Sequence, residues 1–158
     1  MIFVTVGSQK FQFNRLLKKI DELIEDKTIT DKVFAQNGYS DYKPKNYEYK
    51  DFLTQDEFNN KIEESDLVIT HAGTGVIINA IKRGKKVIGV PRLAKYNEHV
   101  DDHQVQLLKE FKELNYIEVA KDTDELKEKI KNIDNETFRK YESNTDKIIE
   151  DIRKFIEE

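Results

Sequence analysis

The chemistry-bearing residues of this chain gather in three short stretches. Residues 67–79 read Leu-Val-Ile-Thr-His-Ala-Gly-Thr-Gly-Val-Ile-Ile-Asn. A β-branched run ends at Thr70, a small-residue loop carries His71, Gly73, Thr74 and Gly75, and an apolar helix follows. That order suits a phosphate: glycines admit a ligand to the backbone, and a new helix offers free N–H groups and a positive dipole end. His71 falls where a strand's carboxyl end opens, the usual ligand position in open α/β sheets. Gly7-Ser8-Gln9 is a second such turn, after the first apolar run. The third stretch, residues 92–104, carries Glu98, His99, Asp101, Asp102, His103 and Gln104, a density of hydrogen-bonding groups that suits hydroxyls. Phosphate on one side and hydroxyls on the other describe a nucleotide-sugar.

Each stretch has a plainer alternative. The His71 loop serves equally as a tight strand-to-helix turn around a packed histidine. His99 and His103 stand four apart and would share a metal if both lay on a helix, but Asp101 or Asp102 can start the helix between them. With no cysteine, no G-x-S-x-G elbow and no base near Ser8 in sequence, a nucleophilic triad is not supported. Neither a Walker A lysine motif nor G-x-G-x-x-G is present. Lys82, Arg83, Lys85 and Lys86 read as solvated charges favoured by a helix C-terminus.

These loops need a scaffold, and the apolar pattern predicts one. Ile2–Val6 reads as a buried strand. Phe13, Leu16, Leu17, Ile20, Leu23 and Ile24 then form one helical face. Val33–Ala35 and Tyr47–Leu53 are further strands. Thr54 with Glu57 makes a capping box, and Leu53 with Phe58 a hydrophobic staple, for a helix ending near Ser65. The helix after His71 is apolar nearly all round and is expected to be deeply buried, with Gly84 past its end. Val87–Val90 is a strand closed by Pro91. Val105, Leu108 and Phe111 are expected to face inward from the next helix. Tyr116–Val119 is a last strand, and Asp122 with Glu125 matches another capping box. Phe138, Tyr141, Thr145, Ile148, Ile152 and Phe155 recur at threes and fours, predicting a terminal amphipathic helix over 134–158. Strands alternating with helices give one domain, 1–158: a single Rossmann-like, doubly wound parallel sheet.

Composition bounds the function. The 158 residues hold 27 Lys+Arg against 31 Asp+Glu, a net charge of −4, which argues against a general nucleic-acid partner. Disulfides and thiolate metal sites are excluded. The amino terminus lacks the basic start of a signal peptide, and no apolar run approaches the roughly 20 residues of a membrane helix. A soluble, cytoplasmic domain is expected.

At this point a resemblance becomes specific. Val4-Thr5-Val6-Gly7-Ser8, Thr70-His71-Ala72-Gly73-Thr74-Gly75, and Val90-Pro91-Arg92 followed by residues 98–104 are similar to the carboxyl-terminal domain of family 28 glycosyltransferases. The similarity is greatest to the soluble subunit of two-part enzymes, namely those of bacterial exopolysaccharide and capsule synthesis and the eukaryotic one that adds N-acetylglucosamine to a dolichol-linked precursor. The resemblance implies the donor-binding half of a GT-B enzyme, with UDP-sugar as donor substrate, no cofactor and no metal. It implies that His71 and the Gly73–Gly75 backbone, Thr74 included, face the diphosphate, and the Gly7-Ser8 turn adds backbone donors and small side chains suited to phosphate. Phe52 and Leu53 would hold uracil, and His103 and Gln104 the sugar, within a stretch that also offers Glu98, His99 and Asp102. Two residues depart from the family pattern: Val76 replaces a serine, and Asn79 replaces a glutamate that binds ribose hydroxyls, so ribose should be held more weakly. Family 28 enzymes pair two such domains, and the other carries the acceptor site and the general base, so no base is named here. The expected function is the donor-binding subunit of an inverting transferase. It would move a hexose or N-acetylhexosamine to a lipid-linked saccharide, peripheral to the membrane through an anchored, acceptor-binding partner. The alternative is a non-catalytic nucleotide-sugar-binding or regulatory module of the same fold.

Overall fold

The computed structural model describes residues 1–7, 10–96, 103–142, 144, 147, 148, 150, 151 and 154, with the backbone alone for Ala94 and His103. Four-residue apolar runs build the sheet: β1 (Ile2–Thr5), β2 (Val33–Gln36), β4 (Leu67–Thr70) and β5 (Lys86–Gly89). Two shorter strands, β3 (Glu48–Lys50) and β6 (Glu118–Val119), close its edges. All pairings are parallel, in the order β3-β2-β1-β4-β5-β6, so the chain runs outward from β1 in one direction and then in the other. β1 and β4, at the centre, are buried throughout, as strands covered on both faces must be.

Alternation along the strands makes two cores. Ile2 and Val4 face one with Ala35 and Ile69, under α1 (Asn14–Glu25) and α5 (Thr123–Asn132). Phe3, Phe34 and Val68 face the other, under α2 (Gln55–Glu64), α3 (Thr74–Lys82) and α4 (His103–Glu113). Fully buried side chains such as Phe3, Phe13 and Phe111 each contribute about 1.5–3 kcal/mol by leaving water. The predicted box on α2 forms: Thr54 Oγ1 accepts the Glu57 N–H, and the Glu57 carboxylate accepts the Thr54 N–H. Leu53 and Phe58 pack beside it on the second core.

Several expectations fail for local reasons. On α5, Asp122 accepts the Asp124 and Glu125 N–H groups, but the Glu125 carboxylate takes the Lys121 N–H, so the box is only half made. Val105 is 39% exposed, because the inward stripe of α4 is Gln104, Leu107, Leu108 and Phe111. α3 buries Ile77, Ala80 and Ile81 but leaves Val76 and Ile78 half-buried. The terminal helix does not begin at 134: Ile133–Asn135 is a 3-10 turn, residues 136–142 are non-helical, and helix recurs at 147, 148, 150, 151 and 154. Partners outside the segment outweigh its helical period. The Arg139 N–H donates to the Asn115 carbonyl (2.8 Å), and Asn115 Nδ2 donates to the Thr137 carbonyl (3.2 Å). Phe138 packs on the first core, Tyr141 and Ile148 on the second. Among the described residues no helix is long and apolar enough to cross a membrane.

Candidate functional site

At their carboxyl ends the three middle strands change from apolar to polar together. Phe34, Phe3 and Val68 are followed, two residues on and on the same face, by Gln36, Thr5 and Thr70. Thr5 is in register with both of the others. Hydrogen bonds string this row together. Thr5 Oγ1 donates to Gln36 Oε1 (2.8 Å), the Gly7 N–H donates to Thr5 Oγ1 (3.2 Å), and Thr70 Oγ1 donates to the Thr5 carbonyl (3.0 Å). Thr70 Oγ1 also lies 3.2 Å from His71 Nδ1. The row thereby orients the imidazole.

The ring is gripped by two glycines. His71 is 5% exposed. A Cβ on Gly7 would sit 2.7 Å from its Cε1, and one on Gly73 2.7 Å from its Nε2. Gly7 also has φ +76, a region that L side chains avoid. Either glycine replaced by alanine would displace the ring. Gly73 is the N-cap of α3 and, lacking a side chain, makes no cap hydrogen bond to the helix's first N–H groups, and Gly75 has open space where a Cβ would stand. An uncapped helix start beside an imidazole is an arrangement suited to an oxyanion.

A cleft of about 370 Å³ opens on this edge. It joins Gly7, Gly75 and Asn79 to Phe52 and Leu53, five of the residues expected to bind ligand, together with Gln36 and Val76. Phe52 is 48% exposed, and its ring meets that of Tyr39 edge-on at 5.2 Å. Thr74 is the first residue of α3, half-buried. Asn79 is already occupied: its Nδ2 donates to Asn59 Oδ1, and its Oδ1 accepts from Arg83 Nε, both at 2.8 Å, while Arg83 also pairs with Glu63. Gln104 is buried, and its Oε1 accepts the Arg92 N–H at 3.0 Å. Ser8, Glu98, His99 and Asp102 lie outside the described residues, as does the side chain of His103.

Two residues at this edge carried no role in the sequence reading. Gln36 ends a strand otherwise apolar, the signal that it faces something other than core. Arg92 is fully buried beside the Phe13 ring, and its Nη2 donates to the carbonyls of Val6 and Phe11. With Gln104 holding its backbone, Arg92 ties the β1 turn to the β5–α4 connection. A larger hollow, about 550 Å³, lies at the opposite end of the strands, beside residues 136–141. Its cations are drawn to the protein itself: Lys86 Nζ donates to the Ile133 carbonyl, Lys82 sits over Tyr141 and Arg139 over Tyr116.

Known proteins match this architecture. The family described as "Glycosyltransferase family 28 C-terminal domain" matches residues 1–158. The chain is 30% identical over 129 residues to the UDP-N-acetylglucosamine transferase subunit ALG13 of Candida albicans, an alignment covering 78% of this chain and 42% of that protein. To the human subunit of the same name it is 28% identical over 130 residues, covering 69% of this chain and 10% of that one. The chain thus spans less than half the length of these curated relatives. Among solved structures, the glycotransferase of kitacinnamycin superposes with a TM-score of 0.59 at 14% identity, over 99% of this chain and 39% of its own. That likeness speaks for the fold.

Proposed function

The chain belongs to the glycosyltransferase family 28 C-terminal domain family, and on that premise we propose that it is the donor-binding subunit of an inverting UDP-sugar glycosyltransferase. The observation that carries this reading is the single cleft joining Gly7 and Gly75 to Phe52 and Leu53 next to the clamped His71. The glycine backbones and the start of α3 receive the diphosphate, Phe52 and Leu53 the uracil, and the α4 end with His103 and Gln104 the sugar. Ser8, Glu98, His99 and Asp102 join them as donor-binding residues of this proposal. In the reaction an acceptor hydroxyl attacks the anomeric carbon from the face opposite UDP. The bond to the diphosphate oxygen breaks, and the hydroxyl proton passes to a base on the partner. His71 and the helix start stabilise charge as it grows on the departing UDP, which is transition-state stabilisation by groups already in place.

The transferred group is a hexose or N-acetylhexosamine, and the acceptor is a lipid-linked saccharide. Support comes from relatives named as subunits of a UDP-N-acetylglucosamine transferase. The acceptor side falls to a membrane-anchored subunit, which holds this chain at the cytoplasmic face. Asn79, its carbonyl already taken by Arg83, favours a second reading: a nucleotide-sugar-binding module without catalytic duty. Transfer assayed with the cognate partner separates the two.

Among the described residues the cleft's lining contributes carboxamides, glycine backbone and aromatic rings but no carboxylate. Diphosphate charge therefore falls to the imidazole and the helix start, and UDP should bind without Mg²⁺. In calorimetric titration the UDP isotherm should be the same with EDTA as with added Mg²⁺. Heat that appears only with the metal would overturn this reading of the diphosphate site.

A further inference from the structure

We propose that Gln36 is the site's nucleotide-facing hydrogen-bond donor, its carboxamide locked by Thr5 so that only N–H groups meet the ligand. The inference rests on the UDP-sugar reading and deepens it. Gln36 lines the cleft while being only 5% exposed. Thr5 Oγ1 accepts the Gly7 N–H at 3.2 Å and donates its own proton to Gln36 Oε1 at 2.8 Å. Turning the carboxamide over would leave that buried proton without its acceptor and present a carbonyl oxygen to the cleft instead. With the oxygen so fixed, the amide nitrogen is what remains for the cleft, and among the described residues no protein acceptor takes its hydrogens.

A donor that cannot reverse selects an oxygen. Gln36 stands between Gly7, on the diphosphate side, and Phe52 and Leu53, on the base side. Its partner is a diphosphate oxygen or a pyrimidine carbonyl, one chemistry from two sources. The same polar row that orients His71 through Thr70 orients Gln36 through Thr5, so both ends of the floor present set hydrogen-bonding faces.

The test compares titrations of UDP and of uridine against the parent, Gln36→Met and Gln36→Glu. Gln36→Glu keeps an acceptor for the Thr5 hydroxyl but offers no N–H, so a merely structural role would survive it. UDP affinity should fall about tenfold in Gln36→Met, and further in Gln36→Glu. An equal loss for uridine places the acceptor on the base, and a loss confined to UDP places it on the diphosphate. Gln36→Glu binding UDP as tightly as the parent overturns the inference, whereas a parent that fails to bind UDP overturns the functional reading beneath it. Thr5→Val supplies a readout that leaves Gln36 intact. The freed carboxamide can turn its oxygen to the cleft, and UDP should weaken several-fold. Unchanged UDP affinity in Thr5→Val would overturn the locked orientation.

Discussion

The His71 ring carries the most chemistry of any side chain at this edge. The Thr70 hydroxyl, 3.2 Å from Nδ1, and the two glycine backbones hold the ring in one orientation. An imidazole so held loses no freedom when charge develops on a leaving diphosphate, which is why a group of this kind acts on the transition state more than on substrate binding. His71→Ala, assayed with the partner present, should lower kcat/KM by a loss on the order of 2–4 kcal/mol, falling mostly on kcat. Activity within a few-fold of the parent would reduce the ring to a filler between Gly7 and Gly73. The strand, glycine loop and helix around His71 were legible in the sequence as a local order. What was not legible is the wiring below them. Thr5, Gln36 and Thr70 lie more than thirty residues apart in pairs and meet only because β2, β1 and β4 pair in register. Asn79, singled out by its departure from a family pattern, turned out to be held by Arg83 and Asn59, contacts that no spacing rule predicts.

Elements that cap themselves were readable, and elements governed by distant partners were not. Thr54 and Glu57 satisfy one another within three residues, so their box could be read directly. The segment after α5 follows β6 and the Asn115 turn instead, contacts made across more than fifteen residues. Its anchor includes two carboxylates. Burial pushes the Glu118 carboxyl up, but the Lys112 ammonium at 2.7 Å and the Val119 N–H outweigh that and hold it at about 2. Lys129 stands 3.4 Å away as well. Burial and then the Glu118 charge push Glu136 above its ordinary 4.5, against the opposing pull of Lys129 and Lys112. The signs follow. Glu118's contribution is present above 4.5 and is lost as pH falls toward about 2. Glu136's contribution is present at low pH and is lost as pH rises through its elevated folded value. Once pH passes that elevated value, the Glu136 carboxylate costs stability. Glu136→Gln keeps a hydrogen-bonding head and removes that charge, so it should raise Tm by about 1–2 °C at pH 7, a gain of the order of 0.5 kcal/mol. The gain should vanish at acid pH, where the parent residue is protonated. A melt showing equal stability at pH 7, or a gain that persists at acid pH, would contradict this account.

At the scale of the whole molecule, the site occupies one end of the strands and the terminal segment secures the other. Phe138 belongs to the core under α1 and α5, while Tyr141 and Ile148 belong to the core under α2, α3 and α4, so this stretch contributes to both faces of the sheet. Beyond it the sequence continues with Ile149, Ile152, Phe155 and Ile156, which extend the apolar period of the terminal stretch. If the acceptor half is a separate chain, a helix of that kind supplies an adhesive face for it, and leaving such a face uncovered would favour aggregation. The two roles separate by where the chain is cut. Ending it after Glu136 removes Phe138, Tyr141 and the Arg139 hydrogen bond to Asn115, and should cost on the order of 3 kcal/mol of stability. Ending it after Asn144 removes only Ile148 from the described core contacts, about 1 kcal/mol. That shorter deletion should leave a folded domain whose UDP affinity matches the parent, yet abolish both co-purification with the proposed partner and transfer. Partner binding that survives the cut after Asn144 would move the contact to another surface. Unfolding at that same cut would instead assign the final helix to this domain's own core.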